Sequence, residues 1–344
     1  MSKTSLHWFD YELPRDRIAK YPIHPRDACK LMIMERNSGK IEHRIFRDLI
    51  NILKPGDVLV LNDSAVVKAR LHGHRKDTEG RIECLLLEET DSGVWLALTR
   101  PAKRLTKGQR ILFGLMEAEV TEEREEGLRC IRFPDRNSAF ELMDSLGEVP
   151  LPPYIDRPVQ PDDPENYQCI YARNPGSVAA PTAGLHFTSS LIEALKGKGI
   201  ELAWITLHVG MGTFLPVRTA CLEDHRMHEE RYAVSENAAR ILRNAQREGR
   251  RIIAGGTTVV RALETMGKDN ALLQQGSGRT RLFIKPGHEF NAIQGLLTNF
   301  HLPRSTLLVL VSAFAGREKT LEAYKEAVEK GYRFYSYGDA MLLL

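Results

Sequence analysis

The chain has 344 residues, 42% of them hydrophobic, and a formal net charge of +3. That length suits two domains, and the composition suits packed cores rather than a disordered or fibrous chain. So even a charge balance excludes electrostatic binding of nucleic acid by the molecule as a whole, and any RNA contact must come from a local basic surface. The amino-terminal MSKTSLHWFDYELPRD lacks the apolar core of a signal peptide, and the longest apolar run, Thr306 to Ala315, is too short to cross a bilayer. The cysteines (Cys29, Cys84, Cys130, Cys169, Cys221) are scattered and have no C-x-x-C spacing. Reduced thiols, a cytoplasmic location, no membrane and no structural zinc are the expectation.

In chain order, Lys54-Pro55-Gly56-Asp57 predicts a turn, and Val58 to Asn62 a buried strand. From about Lys68 the character changes. Arg81 to Leu87, Val94 to Leu98, Arg110 to Phe113, Glu117 to Val120 and Leu128 to Phe133 are short strand-like runs punctuated by Gly80, Gly93, Gly108, Gly114 and Gly127. They read as a small antiparallel sheet or barrel. The Pro-rich Val149-Pro-Leu-Pro-Pro-Tyr154 marks the exit. Beyond it, Thr188 can cap a helix through about Lys196, and Ile200 to His208 predicts a strand. Ser235 can cap a helix ending at Gly249, followed by a strand from Arg251 to Ala254 and an amphipathic helix from Arg317 to Lys330. The expected architecture is an α/β domain made from both chain ends, residues 1–67 and 149–344. An all-β, barrel-like domain is inserted at 68–148.

The residues suited to chemistry lie almost entirely after the insertion. Gly176-Ser-Val-Ala-Ala-Pro-Thr182-Ala-Gly184-Leu-His186-Phe-Thr188 is rich in small residues and leads into a helix, whose free N–H groups suit an anion. Tight packing at a chain crossing would give the same pattern. Trp204-Ile-Thr-Leu-His208-Val-Gly210-Met-Gly212-Thr-Phe ends a strand in a glycine loop. It lacks the third glycine and the following helix of a dinucleotide fingerprint, but it can deliver His208 to a pocket mouth. Asp224-His225-Arg-Met-His228-Glu-Glu230 crowds two histidines among acids. It has no H-E-x-x-H order and no clear third ligand, so acid–base roles are expected rather than a metal.

Gly255-Gly256-Thr257-Thr258-Val-Val-Arg261-Ala-Leu-Glu264 predicts a glycine turn into a helix, with Thr257 or Thr258 as cap and polar ligand contact. Arg261 and Glu264 share a helix face, and a surface ion pair is the alternative to a binding role. Thr298-Asn299-Phe-His301-Leu-Pro303 sets another histidine before a turn. One such histidine is ordinarily a satisfied core residue. Three of them (His186, His208, His301), each beside a Gly-, Pro- or Thr-rich turn, favour a shared site.

These blocks, with Phe9-Asp-Tyr-Glu-Leu-Pro14, Leu151-Pro-Pro-Tyr-Ile-Asp-Arg157 and Tyr332-Arg-Phe-Tyr-Ser-Tyr337-Gly-Asp339-Ala-Met341, cover almost the whole chain. They resemble the S-adenosylmethionine:tRNA ribosyltransferase-isomerase family of queuosine biosynthesis. The chain departs from the family pattern at Ala65, where Arg is usual, and at Lys68, where Pro is usual. The resemblance implies that the ribosyl unit of S-adenosylmethionine moves onto 7-aminomethyl-7-deazaguanine at the tRNA wobble position. Epoxyqueuosine then remains in the tRNA, and adenine and methionine leave. It implies S-adenosylmethionine as co-substrate and neither a permanent cofactor nor a metal.

The sulfonium acidifies the adjoining ribose C5′ protons, adenine leaves more easily when its ring nitrogens are protonated, and the attacking amine must be neutral. A base, an acid and fixed donors are the minimum set. His186, His208, His228 and Glu230 are the candidates for proton transfer, with Asp224 or Asp339 orienting an imidazole. Thr257, Thr258 and Asn299 suit ribose or adenine, and Arg261 suits the methionine carboxylate through a bidentate pair. Thr182, Gly184, Gly210, Gly212, His301 and Tyr337 complete the expected substrate-binding set. For tRNA, Arg70, Arg75 and Lys76, and on a second loop Lys103 and Arg104, are the candidate phosphate contacts. Partners are tRNA and small-molecule substrate, and a monomer is expected. An RNA methyltransferase or a non-catalytic RNA-binding protein are the alternatives. The first should show a glycine-rich loop after its first strand, where this chain has Asp-Ser-Ala-Val.

Overall fold

Val58, Leu59, Val60, Leu61 and Asn62 are all fully buried, so the strand they form (β3) must be covered on both faces. In the computed structural model, which describes residues 3–210, 212, 217, 219–268 and 272–344, β3 lies inside a 9-stranded mixed sheet. The strands in chain order are β1 (Lys30–Met34), β2 (Ile41–Ile45), β3 (Val58–Asn62), β4 (Ser64–Val66), β5 (Arg70–Arg75), β6 (Arg81–Asp91), β7 (Val94–Arg100), β8 (Arg110–Phe113) and β9 (Met116–Glu123). They continue with β10 (Leu128–Arg132), β11 (Asn174–Ser177), β12 (Glu201–Leu207), β13 (Glu230–Val234), β14 (Ile252–Gly255), β15 (Gly276–Thr280), β16 (Gly295–Asn299) and β17 (Ala340–Leu343). The large sheet runs β15-β13-β12-β3-β14-β16-β17-β1-β2, and β4 pairs separately with β11.

The helices are α1 (Leu49–Ile52), α2 (Arg136–Leu146), α3 (Asp163–Asn166), α4 (Ser189–Gly197), α5 (Glu236–Glu248), α6 (Thr257–Met266), α7 (Thr306–Ala315) and α8 (Arg317–Glu329). Alternation along β3 divides the core. Val58 and Val60 pack with α5, α6, α7 and α8, while Leu59 and Leu61 pack with α4 on the other face. Helix α5 shows why its sequence folds this way. Ser235 accepts from the Ala238 N–H at its start, Gly249 ends it with φ +65°, and Ala238, Ile241, Leu242 and Ala245 form its buried stripe. Truncating Leu242 to Ala would cost about 2–5 kcal/mol.

Strands β5 to β10 close an antiparallel barrel in the order β10-β7-β6-β5-β8-β9. In β7, Trp95, Ala97 and Thr99 are buried and alternate with outward residues, as a one-sided strand requires. Its entry and exit are tied together, because Arg70 and Glu148 exchange backbone hydrogen bonds of 3.1 and 2.9 Å. The segment 68–148 is nevertheless not all-β, contrary to the sequence expectation. Asp135 caps α2 by accepting from the Asn137 and Ser138 N–H groups, and Ala139, Leu142 and Met143 at helical spacing join the barrel core. No helix among the described residues is long and apolar enough to cross a membrane.

Candidate active site

Strands β12, β3, β14 and β16 are mutually parallel, so their carboxyl ends open on one edge of the sheet. Ligand sites in open α/β sheets form at such edges. The edge carries Asn62 at the end of β3 with Asp63 and Ser64 directly after it, His208 to Gly210 after β12, Gly256 and Thr257 after β14, and Asn299 at the end of β16. Asn62 knits it together: its Nδ2 donates to the Leu207 carbonyl (2.9 Å) and Thr258 Oγ1 (3.3 Å), and its Oδ1 accepts from the Ser64 and Leu207 N–H groups. Asp63 Oδ1 accepts from Thr206 Oγ1 at 2.7 Å and Asn174 Nδ2 at 3.0 Å. Ser177 donates to Ser64 and receives the Val209 N–H. Asn62, Asp63 and Ser64 were absent from the sequence-derived site. The available signal was a polar triple directly after a fully apolar strand, which had been read only for its lack of glycine.

His208 is half-buried, and its Nδ1 is shielded from solvent with no hydrogen-bond partner. Gly176, at φ +134°, lies against the ring: a Cβ there would stand 3.0 Å from Nδ1, so only glycine fits. Burial, and then Arg231, push the imidazole below its ordinary pKa, while Asp63 pulls it back up. The ring is therefore neutral near pH 7 and able to accept a proton.

His186 is different. It is fully enclosed, with Nε2 3.0 Å from Asn299 Nδ2 and Nδ1 3.2 Å from Cys29 Sγ. Asn299 Nδ2 also donates to the Tyr335 carbonyl at 2.9 Å, which fixes the amide orientation. Nε2 must then accept, and Nδ1 carries the hydrogen. Burial holds this histidine neutral down to about pH 4. Both nitrogens are already engaged, so the expected proton-transfer role of His186 finds no free ring nitrogen in this arrangement. His301 follows the same logic, buried with Nε2 2.8 Å from Thr298 Oγ1 and its pKa pushed down to about 3.

Glu230 and Arg261 form a buried ion pair, and Glu230 Oε1 also accepts the Gly210 N–H at 3.2 Å. A carboxylate so occupied is a poor free base. Arg261 Nε donates to the Leu282 carbonyl, which leaves Nη2 buried and without a partner. The expected bidentate grip on a substrate carboxylate is therefore replaced by a single free nitrogen. Arg261 and Glu264 are not a surface pair either: Glu264 is buried and accepts the Asn291 and Ala292 N–H groups at 3.0 Å.

His228 is half-buried beside Gly212, whose Cβ would lie 3.3 Å from the ring. Met211, Thr213 and Phe214 of this glycine loop lie outside the described residues. Asp224 orients no imidazole; its half-exposed carboxylate pairs with Lys3 at 2.8 Å. Asp339 does not orient one either, because its buried oxygens accept the Lys30 and Arg333 N–H groups at 2.8 and 2.7 Å.

Neither Thr257 nor Thr258 caps α6. The cap position is Gly256 at φ +110°, which provides no side-chain acceptor. Thr257 is buried at the first turn, and a Cβ at Gly256 would stand 3.5 Å from Ala183 Cβ in the Thr182–His186 turn. Gly184 is a packing glycine, since a Cβ would meet Tyr171 Oη at 2.2 Å and Cys169 Sγ at 2.5 Å. Tyr337 is buried edge-on against Tyr167.

The basic candidates on the barrel separate into two sets. Arg75 is paired with Asp77 at 2.8 Å, Lys76 with Glu117 at 2.6 Å, and Arg70 reaches the Leu151 carbonyl and Glu83. Lys103 and Arg104 are exposed with no acidic partner among the described residues. Buried Arg129, which the sequence reading missed, donates to the Ala102 and Leu105 carbonyls at 2.7 and 2.6 Å and fixes their loop. Among the described residues no cluster of His, Cys, Asp and Glu could hold a metal.

Comparison with known proteins gives these features a family. Residues 6–343 match the family described as queuosine biosynthesis protein. The chain is 50% identical to the S-adenosylmethionine:tRNA ribosyltransferase-isomerase of Desulfitobacterium hafniense and 51% identical to that of Heliobacterium modesticaldum, over 98% of this chain and of each relative. The crystal structure of S-adenosylmethionine tRNA ribosyltransferase from Thermotoga maritima is 41% identical, covers 98% of this chain and 100% of its own, and superposes with a TM-score of 0.57. With this full-length match laid over the parallel strand ends and the barrel, the chain belongs to the queuosine biosynthesis protein family.

Proposed function

We propose that this protein is an S-adenosylmethionine:tRNA ribosyltransferase-isomerase. The observation that carries the reading is the match, over 98% of the chain at about half identity, to relatives bearing that name. The finer reading is that the acceptor is 7-aminomethyl-7-deazaguanine at the wobble position of tRNA, with epoxyqueuosine-tRNA, adenine and methionine as products. The two working units are residues 1–67 with 149–344 and the insertion at 68–148.

In this account S-adenosylmethionine lies along the strand ends. His208 is the best-placed proton acceptor for the sulfonium-acidified C5′ position, since it is held neutral and its site is open on one side. His228 is the second proton-transfer candidate. Arg261 Nη2, buried and unsatisfied, suits one carboxylate oxygen of the methionine portion. Thr257, Thr258 and the free α6 N–H groups suit ribose hydroxyls. His186, Asn299 and Cys29 hold the Thr182–His186 turn in place from behind. Lys103 and Arg104, on the loop braced by Arg129, are the phosphate contacts for tRNA.

Incubation with labelled S-adenosylmethionine and precursor tRNA tests the activity. Free adenine is the expected product. S-adenosylhomocysteine would point to a methyltransferase, and tRNA binding with no product to a non-catalytic binder. After β3 the chain has Asp63-Ser64-Ala65 rather than a glycine loop, which disfavours the methyltransferase.

A further inference from the structure

Asp63 has no assigned role, yet its placement is unusual for a carboxylate. It follows directly on β3, the strand flanked by β12 and β14, and its residue is only 7% exposed. One oxygen is pinned by two donors, Thr206 Oγ1 and Asn174 Nδ2, and the backbone around it is pinned too. Its N–H donates to the Ile205 carbonyl, and its carbonyl accepts from Arg173 and Asn174. Oδ2 has no partner. Thr206 lies in β12 and His208 follows directly after it, its N–H continuing the ladder to the Arg231 carbonyl at 2.9 Å, so the two side chains leave the sheet on the same side. The carboxylate that Thr206 holds therefore lies on the His208 side of the sheet. Gly176 of β11 lies against the ring, next to a buried Nδ1 that finds no partner among the described residues.

We infer that Asp63 is a positioning residue for His208. Its fixed carboxylate stabilises, through space, the imidazolium formed when His208 takes up a proton. The inference rests on the proposed role of His208. No group is oxidised or reduced: the proton leaves substrate carbon, its bonding pair stays on that carbon beside the sulfonium, and His208 gains the positive charge. Among the described residues, the charged groups that act on the ring are Asp63, directly after β3, and Arg231 from β13. From β11 the ring meets Gly176, with neutral Asn174 nearby, and β12 itself contributes neutral Thr206. Among the described residues Asp63 favours the protonated ring and Arg231 opposes it. Removal of the Asp63 charge should thus lower the His208 pKa and leave Arg231 unbalanced.

The test is Asp63→Asn, whose amide oxygen can still accept from Thr206 and Asn174. Two readouts are followed: adenine release by the full-length enzyme with precursor tRNA, and the His208 ring titration by NMR, assigned with His208→Gln. The expected results are a fall in kcat of about 10²-fold or more, KM for S-adenosylmethionine within a few-fold, and a His208 pKa lower by about half a unit or more. If the variant does not fold, the unsubstituted protein carries the test, because coupled groups show a second, more acidic inflection in the His208 titration. Normal kcat in Asp63→Asn, or an unshifted His208 titration, overturns the inference. A single-inflection titration in the unsubstituted protein overturns it as well. Absence of adenine release by the unsubstituted enzyme would instead overturn the proposed activity, leaving the NMR result to judge the pair by itself.

Discussion

Two histidines that the sequence pattern offered as chemistry are, in the fold, an acid-sensitive part of its stability. His186 and His301 are enclosed and neutral, with pKa values pushed down to about 4 and about 3 by burial. In the unfolded chain both return to about 6.5. Below that value the unfolded state binds protons that the native state refuses, so the stability present above pH 6.5 is lost as the pH falls towards the folded values. At pH 5 each ring is about 1.5 units below its unfolded pKa, which corresponds to about 2 kcal/mol per ring, or about 4 kcal/mol for the pair. The slope between pH 6 and 4.5 should approach 2.7 kcal/mol per unit from these two groups alone, at about 1.4 per proton. Urea unfolding at half-unit pH steps reads this directly. His186→Gln removes one of the two protons, so its slope should be shallower by about 1.4 kcal/mol per unit, whatever its stability at pH 8. An unchanged slope would show that His186 already titrates normally in the native state and would return it to the list of proton-transfer candidates.

Three further outcomes follow from the geometry. Gly184→Ala forces a methyl group against Tyr171 Oη and Cys169 Sγ, and thermal melting should show a loss of about 1–3 kcal/mol. Glu230→Ala leaves Arg261 charged and buried without its carboxylate, for which denaturant unfolding should report about 3–5 kcal/mol. Lys103→Ala and Arg104→Ala should each reduce the slope of log K against log salt for tRNA by about 0.7–0.9, whereas Lys76→Ala, already paired with Glu117, should change it less.

Much of the local structure was legible because its causes are local. The turn at Lys54–Asp57 and the apolar run after it place β3 with the bounds it has. The Thr188 and Ser235 hydroxyls cap α4 and α5 as their spacing predicts. The cap of α6 was misplaced because the cap position is Gly256 at φ +110°, a backbone conformation that neither helix propensity nor hydrophobic pattern reveals. Helix α2 was overlooked because its short apolar stripe has no meaning until the barrel offers a surface to bury it.

The site divides in the same way. His208 and Arg261 could be named from the sequence, since a polar residue at a strand end or first helical turns is suspicious on its own. The partners that decide their roles could not. Cys29 and Asn299 occupy the two ring nitrogens of His186 from opposite ends of the chain, and Glu230 takes one side of the Arg261 guanidinium. Asp63 gained significance only when β11 and β12 brought Asn174 and Thr206 to it.

The central claim is that this fold moves the ribosyl unit of S-adenosylmethionine rather than its methyl group. Donor labelled separately in adenine, ribose and methyl, incubated with precursor tRNA, tests it most directly. The account predicts ribose label in the tRNA, adenine label released as free base and methyl label released in methionine. Methyl label in the tRNA with S-adenosylhomocysteine in solution would contradict it.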